Sequence, residues 1–370
     1  MVLDESVRSL DDVLLIGREG TRLVAAERAV FHPVSPSAQP VPALVITRSA
    51  SADFQTGIKS GSRSAIAVVG NSAIKYKGTN IGHALEGSGP YRKPHGNSPW
   101  GGLRLSCAER EIEATIRVNE ILKKHEFATV HEPLGVVDYG ALYEPNFLSY
   151  TQKLIGEAPM PYKLTIGALL ALAIASDFVY PSLIAPNAAA FILPIGAGGL
   201  FLLKKYGRIS ENLAASVMKI EGDTRLPEII AAGIKDRSTA ACVMYQFGLS
   251  VGAQKRTLEQ EGFMWNEGDT HPGNLIVHGK GNNYHITPTD FDFSGNYGVK
   301  ASGKQSKEAI EHLLSSFGAR GIVDKSTRVK ISDTAVTEAV NSFKEGFWDG
   351  YKNPDHAGAR TPIKIGRAHV

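Results

Sequence analysis

Two short acidic stretches hold the residues best suited to chemistry. Gly268-Asp269-Thr270-His271-Pro272-Gly273-Asn274 sets an Asp and an Asn five positions apart, just before the apolar run Leu275-Ile276-Val277. Thr289-Asp290-Phe291-Asp292-Phe293-Ser294 follows on the next strand-like run. Phosphoryl transfer from ATP needs such a set. One carboxylate orients or deprotonates the acceptor hydroxyl, while an Asn oxygen and a further Asp hold Mg²⁺ on the phosphates. Mg²⁺ prefers hard oxygen ligands and takes only one or two from protein. Asp, Pro, Gly and Asn are also turn formers, so the first stretch alone is compatible with a plain surface turn. The second cluster, at this distance, favours the chemical reading.

These residues resemble the catalytic loop and metal loop of protein-kinase-like phosphotransferases, closest to the aminoglycoside and choline kinase branch. The resemblance implies Asp269 as the catalytic Asp, Asn274 and Asp290 as metal ligands, ATP and Mg²⁺ as cofactors, and an unidentified hydroxyl-bearing acceptor. Two departures stand out. Glu267 occupies the place of the usual His, and Asp292 that of the Gly which usually ends the metal loop. The implied fold is a two-lobed α+β protein with a small β-rich N-lobe and a larger helical C-lobe.

The elements that must position these residues are legible in outline. Ala65–Gly70 and Ala73–Gly78 read as two strands joined at Gly70-Asn71. Side-chain alternation puts Lys75 and Lys77 on one face of the second. Ala73-Ile74-Lys75 resembles the kinase strand that carries the phosphate-binding lysine. Lys77-Gly78, with the later Gly87-Ser88-Gly89-Pro90, resembles instead the selenoprotein-O family of kinase-like adenylyltransferases. The choice between Lys75 and Lys77 stays open, as does a plain solvated strand face. The glycine-rich residues 78–102 offer backbone N–H groups to phosphate, without a strict phosphate-binding signature.

Cys107–Lys124 reads as a helix capped by Ser106, with the apolar stripe Ile112, Ile116 and Ile121 or Leu122. In the kinase-like plan this helix supplies a Glu to the strand lysine. Glu111 and Glu113 are the candidates, and Arg110-Glu111 resembles the selenoprotein-O pattern. Residues 133–140 and 146–157 read as strands, the second leading to an inter-lobe hinge where Gln152 to Ile155 would bind adenine. Residues 204–237 read as surface helices and loops. Thr239–Glu261 is a long helix running into the catalytic stretch, and helices follow at 306–317 and 333–351. The expected divisions are an extension over 1–40, an N-lobe over 41–157 and a C-lobe over 158–364. The last six residues, Ile365–Val370, resemble the translation of a sequencing adapter and are set aside as a suspected non-native tail.

Composition narrows the partners. A net charge of +3 over 370 residues is too weak to argue for nucleic acid. The apolar region Thr165–Leu203 is broken by Asp177, Pro181, Pro186 and Asn187, which favours a buried helical hairpin over a membrane span. Cys107 and Cys242 have no metal-type spacing, and with no basic-then-apolar leader they suit a reducing cytoplasm. Oligomeric state is not legible. Two other functions fit the same residues: transfer of AMP, as in the selenoprotein-O family, and a nucleotide-binding pseudokinase that serves as a partner module.

Overall fold

A computed structural model of the chain describes residues 19–36, 40–47, 54–61, 63–80, 101–129, 131–143, 211–231, 237–266, 269–280, 283–291, 294–296, 303–319 and 334–364. The chain divides into two compact units, residues 1–140 with 213–370, and residues 141–212. The boundary expected at 157 falls inside the second unit. Every described residue of the candidate site belongs to the first.

The fold is mixed α+β, with a large antiparallel sheet and several helices. Its strands are β1 (Gly20–Ala25), β2 (Val30–Pro33), β3 (Leu44–Ile46), β4 (Gln55–Ser60), β5 (Ser64–Val69), β6 (Ser72–Lys77), β7 (Leu103–Arg104), β8 (His131–Tyr143) and β9 (Glu211–Ile220). They lie in the order β2-β8-β9-β6-β5-β4-β1-β3, with β7 beside β9. The β5–β6 hairpin forms where the sequence places it. Gly70, at φ 59°, opens the two-residue turn, a position where a left-handed backbone favours glycine.

Helix α1 (Leu105–Lys124) lays Ala108 and Ile112 against Ile66, Ala73, Ala214 and Met218 of the sheet. Ser106, expected as its cap, lies inside the helix instead. The capping position is Arg104, which makes no side-chain cap bond. The helix starts early because Leu103 and Arg104 are held on β9, opposite Ala214 and Leu213, and the chain turns straight from that pairing. The second correction is β9 itself. Residues 204–237 were expected at the surface, yet Leu213, Ala215, Val217 and Ile220 are buried in the middle of the sheet.

The rest of the first unit follows as β10 (Thr224–Arg225), α2 (Leu226–Ala231), α3 (Arg237–Gln260), β11 (Phe263–Met264), a 3-10 turn at Pro272–Asn274, β12 (Leu275–Lys280), β13 (Asn283–Pro288), β14 (Gly295–Asn296), α4 (Gly303–Ala319), α5 (Thr334–Lys352) and β15 (Ile363–Lys364). A second sheet runs β10-β12-β13-β15, and β11 pairs with β14.

Helix α3 carries the chain into the candidate catalytic stretch, and its support is unusual. Gly248 and Gly252 on α3 face Gly346 and Gly350 on α5, so that backbone meets backbone. A Cβ at any of the four would strike a carbonyl oxygen of the other helix: Phe343, Phe347, Tyr245 or Leu249 in turn. Phe247, Phe343 and Phe347 close the surrounding core. At the far end of α3, buried Lys255 pairs with Glu259 at 3.0 Å and donates to Trp265 O at 2.8 Å, which anchors the start of the loop. Ser306 on α4 and Tyr351 on α5 each donate to Glu259 at 2.6 Å, so three helices share that anchor. No described helix is long and apolar enough to cross a membrane.

Candidate functional site

The register of β6 decides what each lysine meets. Lys77 lies opposite Ser64 on β5 and Ser216 on β9, and Lys75 lies opposite Ile66 and Met218. Lys77 Nζ donates to Glu111 Oε1 on α1 at 2.9 Å and also to Asp290 Oδ1. Ser216 Oγ donates to the other oxygen of Glu111 at 2.8 Å. Lys75 Nζ sits instead 2.5 Å from Asp223 Oδ1, and Ser60 Oγ donates to Asp223 Oδ2 at 2.5 Å. So Lys77, rather than Lys75, stands beside Glu111. Glu113 is exposed, because two residues along a helix is more than half a turn.

The β12–β13 hairpin brings Asp290 to the same place. Leu275 pairs with Pro288, and Thr289 N donates to Asn274 O at 2.9 Å, so Asn274 and Asp290 arrive at one end of the hairpin. Asp290 has φ 67°, a left-handed conformation that costs a side-chain-bearing residue energy, although Asp is among the least penalised. Burial opposes ionisation of Asp290. Lys77 and, further off, Arg63 and Arg225 outweigh it and hold the carboxyl well below the usual carboxylate range. Asn274 Nδ2 donates to Asp269 O at 3.0 Å, which leaves Oδ1 as its acceptor.

Asp269 is placed differently. It is 1% exposed, and its Oδ2 accepts from Ser294 Oγ at 2.5 Å. Ser294 Oγ also accepts from Asn266 N at 3.0 Å, which ties the two ends of the candidate loop together. The loop is braced further by Thr270 Oγ1, donating to Trp265 O at 3.1 Å, and by His312 of α4, 2.9 Å from Thr270 O.

Lys77, Glu111, Asn274 and Asp290 line one cavity of about 240 Å³, and Asp269 is not among its lining residues. Several residues that the sequence did not single out also face this cavity. Ser60 and Arg63 flank the tight turn between β4 and β5, Ser216 comes from β9, and Arg225 from β10. Arg225 Nη1 donates to Gly273 O at 2.7 Å, beside the metal-ligand candidate Asn274. His131, at the start of β8, is buried, with Nδ1 3.2 Å from Thr289 Oγ1 and Nε2 without a partner among the described residues. Burial first, then nearby Lys75, pushes its pKa down to about 3, so the imidazole is neutral near pH 7. The one sequence signal for these residues was a Ser-Gly-Ser-Arg-Ser turn directly after a strand.

Some expected positions are elsewhere or outside the described residues. Gly78, at φ 104°, lets the chain pass close to Ala214 of β9, and neither it nor Gly101 lines the cavity. Gln152, Ile155, Glu267, Asp292 and residues 81–100 lie outside the described residues. Among the described residues no group of three or more His, Cys, Asp or Glu forms a metal cluster. The hard-oxygen side chains of the cavity that match the expected metal ligands are Asn274 and Asp290.

The chain matches no family model, no curated protein and no solved structure.

Proposed function

We propose that the chain is an ATP- and Mg²⁺-dependent transferase on a two-lobed, protein-kinase-like plan, moving the γ-phosphate of ATP to a hydroxyl acceptor. The observation that carries this is Lys77 bridging Glu111 and Asp290 in a cavity that Asn274 also lines. Protein kinases place a strand lysine on a helix glutamate, with an Asp and an Asn for the metal ions. The donor set fits the group, since one Asn oxygen and one carboxylate suffice for a cation that keeps most of its water. Mg²⁺ on the triphosphate supplies charge neutralisation at the transferring phosphoryl group.

The chain's own residues do the positioning. Ser216 fixes Glu111, Glu111 orients Lys77, and Lys77 donates to phosphate oxygens. Asp269, once Ser294 gives up its carboxylate, orients the acceptor hydroxyl. Preorganised charge of this kind carries most of the catalysis in such reactions. Cys107 and Cys242 are free thiols, which accords with a reducing, cytoplasmic setting.

Transfer of AMP is the second reading, and one observation favours it. The cavity wall includes Lys75, Ser60 and His131, and among the described residues that line it Met218 is the one apolar side chain. Such a wall suits phosphates better than a base, as in the selenoprotein-O family, where ATP binds turned around. Incubation with Mg²⁺ and ATP labelled on either the α- or the γ-phosphate separates the two readings. Transfer of γ-label supports phosphotransfer, transfer of α-label supports AMP transfer, and transfer of neither defeats both.

A further inference from the structure

Each lysine of the cavity already has its own carboxylate, and the arginines do not. Arg63 comes from the β4–β5 turn of the large sheet, and Arg225 from β10 of the second sheet. Both are half-buried and line the cavity. Among the described residues neither guanidinium has a carboxylate within ion-pair distance. Their charge nevertheless reaches the site, because both help to hold Asp290 ionised.

Both side chains are set on braced backbone. The carbonyl of Arg63 accepts from Gly78 N at 2.9 Å and Thr79 N at 3.0 Å, which ties its turn to the residues just after Lys77. Arg225 spends one N–H on Gly273 O at 2.7 Å, which fixes the guanidinium beside Asn274. The lining carries Arg63, Lys75, Lys77 and Arg225 against Glu111 and Asp290, with Asp223 behind Lys75. Half-buried positive charge without a counter-charge is costly unless an anion arrives. A guanidinium fork matches phosphate oxygens in a way that an ammonium does not.

We infer that Arg63 and Arg225 clamp the polyphosphate of the nucleotide from two sheets, adding two guanidinium forks to the ammonium of Lys77. This rests on the nucleotide-dependent function proposed above. It gives the turn after β4 the task of holding phosphate.

The test is calorimetric binding of ATP and of inorganic tripolyphosphate to the full chain, with Mg²⁺ and with EDTA. The wild type is compared with Arg63→Gln, Arg225→Gln and the two Arg→Lys variants, and thermal melting checks that each is folded. Each Gln variant is expected to weaken both ligands about tenfold or more, with the Lys variants in between. Tripolyphosphate and ATP bound equally well by the wild type and both Gln variants would overturn the clamp and leave the nucleotide reading standing. Arginine-dependent binding of tripolyphosphate without binding of ATP would keep the clamp and end the nucleotide reading. No binding of either ligand to the wild type would end both.

Discussion

Lys75 and Lys77 stand two residues apart on one strand face, and each continues into the same local pattern. A carboxylate receives the lysine, and a serine holds that carboxylate's second oxygen: Asp223 with Ser60 in one case, Glu111 with Ser216 in the other. The two sets differ in what lies beyond. Lys75 meets Asp223, which is 0% exposed. Around Lys77 one cation is shared by two carboxylates, and the second, Asp290, comes from a strained backbone position at the cavity. A lysine matched to one fully buried carboxylate is held in place by it. A lysine with one carboxylate in excess can let that carboxylate go to an incoming cation and keep its orientation through the other.

The contrast breaks most readily at Lys75. Lys75→Ala leaves Asp223 charged and buried, and should cost about 3–5 kcal/mol of unfolding free energy in denaturant titration. Replacing both partners, as Lys75→Met with Asp223→Leu, should recover most of that loss. If Lys75→Ala is silent, the pair does not hold the fold. Lys77→Met should act on the other axis, lowering turnover by about 10²–10³-fold. Its unfolding free energy should fall by less than that of Lys75→Ala, because the cavity lets water reach Asp290. Equal destabilisation of the two variants with activity retained in Lys77→Met would erase the distinction.

The serines sharpen it further. A hydrogen bond to a charged group contributes about 1.5–3 kcal/mol. Ser60→Ala should show that loss in stability alone. Ser216→Ala should show part of it in turnover, because Glu111 is then freer to rotate off Lys77.

Acid gives the most gradual probe. His131 and His278 are both buried, and burial pushes both down to about 3. The unfolded chain protonates them below about 6.5 while the folded chain does not. Stability should therefore fall as pH drops below about 6.5, and should not respond to these histidines above it. Asp290, held low in the fold, adds a loss only below about pH 4. Melting temperature against pH for His131→Asn should show a shallower slope than the wild type, and an unchanged slope would mean that His131 is protonated in the fold.

Much of the frame was legible in the sequence, for physical reasons. The β5–β6 hairpin follows from alternation and a glycine turn. Helices α1, α3, α4 and α5 follow from their apolar periodicity, to within a few residues at their ends. The Asp269–Asn274 stretch and Asp290 were identifiable because their residue types are unusual together. What stayed hidden depended on partners distant in the chain. Nothing local separates Lys75 from Lys77, since both share a face and only β9 and α1 distinguish them. Strand β9 escaped because Leu213-Ala214-Ala215-Ser216-Val217-Met218 is covered on both faces and shows no alternation. Asp223 and Arg225 lay within the 204–237 region read as surface, because the partners that bury them are distant in the chain. The placement of Asp269 against Ser294 was beyond sequence reasoning, because it depends on how the two ends of the loop close.

The interlocked glycines of α3 and α5 have a bearing on any shortened form of the protein. Lys77, Glu111, Asn274 and Asp290 all precede α5, so a chain cut near residue 330 would retain the whole chemical inventory. It would lose α5, whose main chain fits against Gly248 and Gly252, along with the hydroxyl of Tyr351 on Glu259. The helix that aims the loop would be left with a bare groove along one side. Such a fragment would carry the right residues and still be expected to fail, because the last helix of the described chain is the keel of the site.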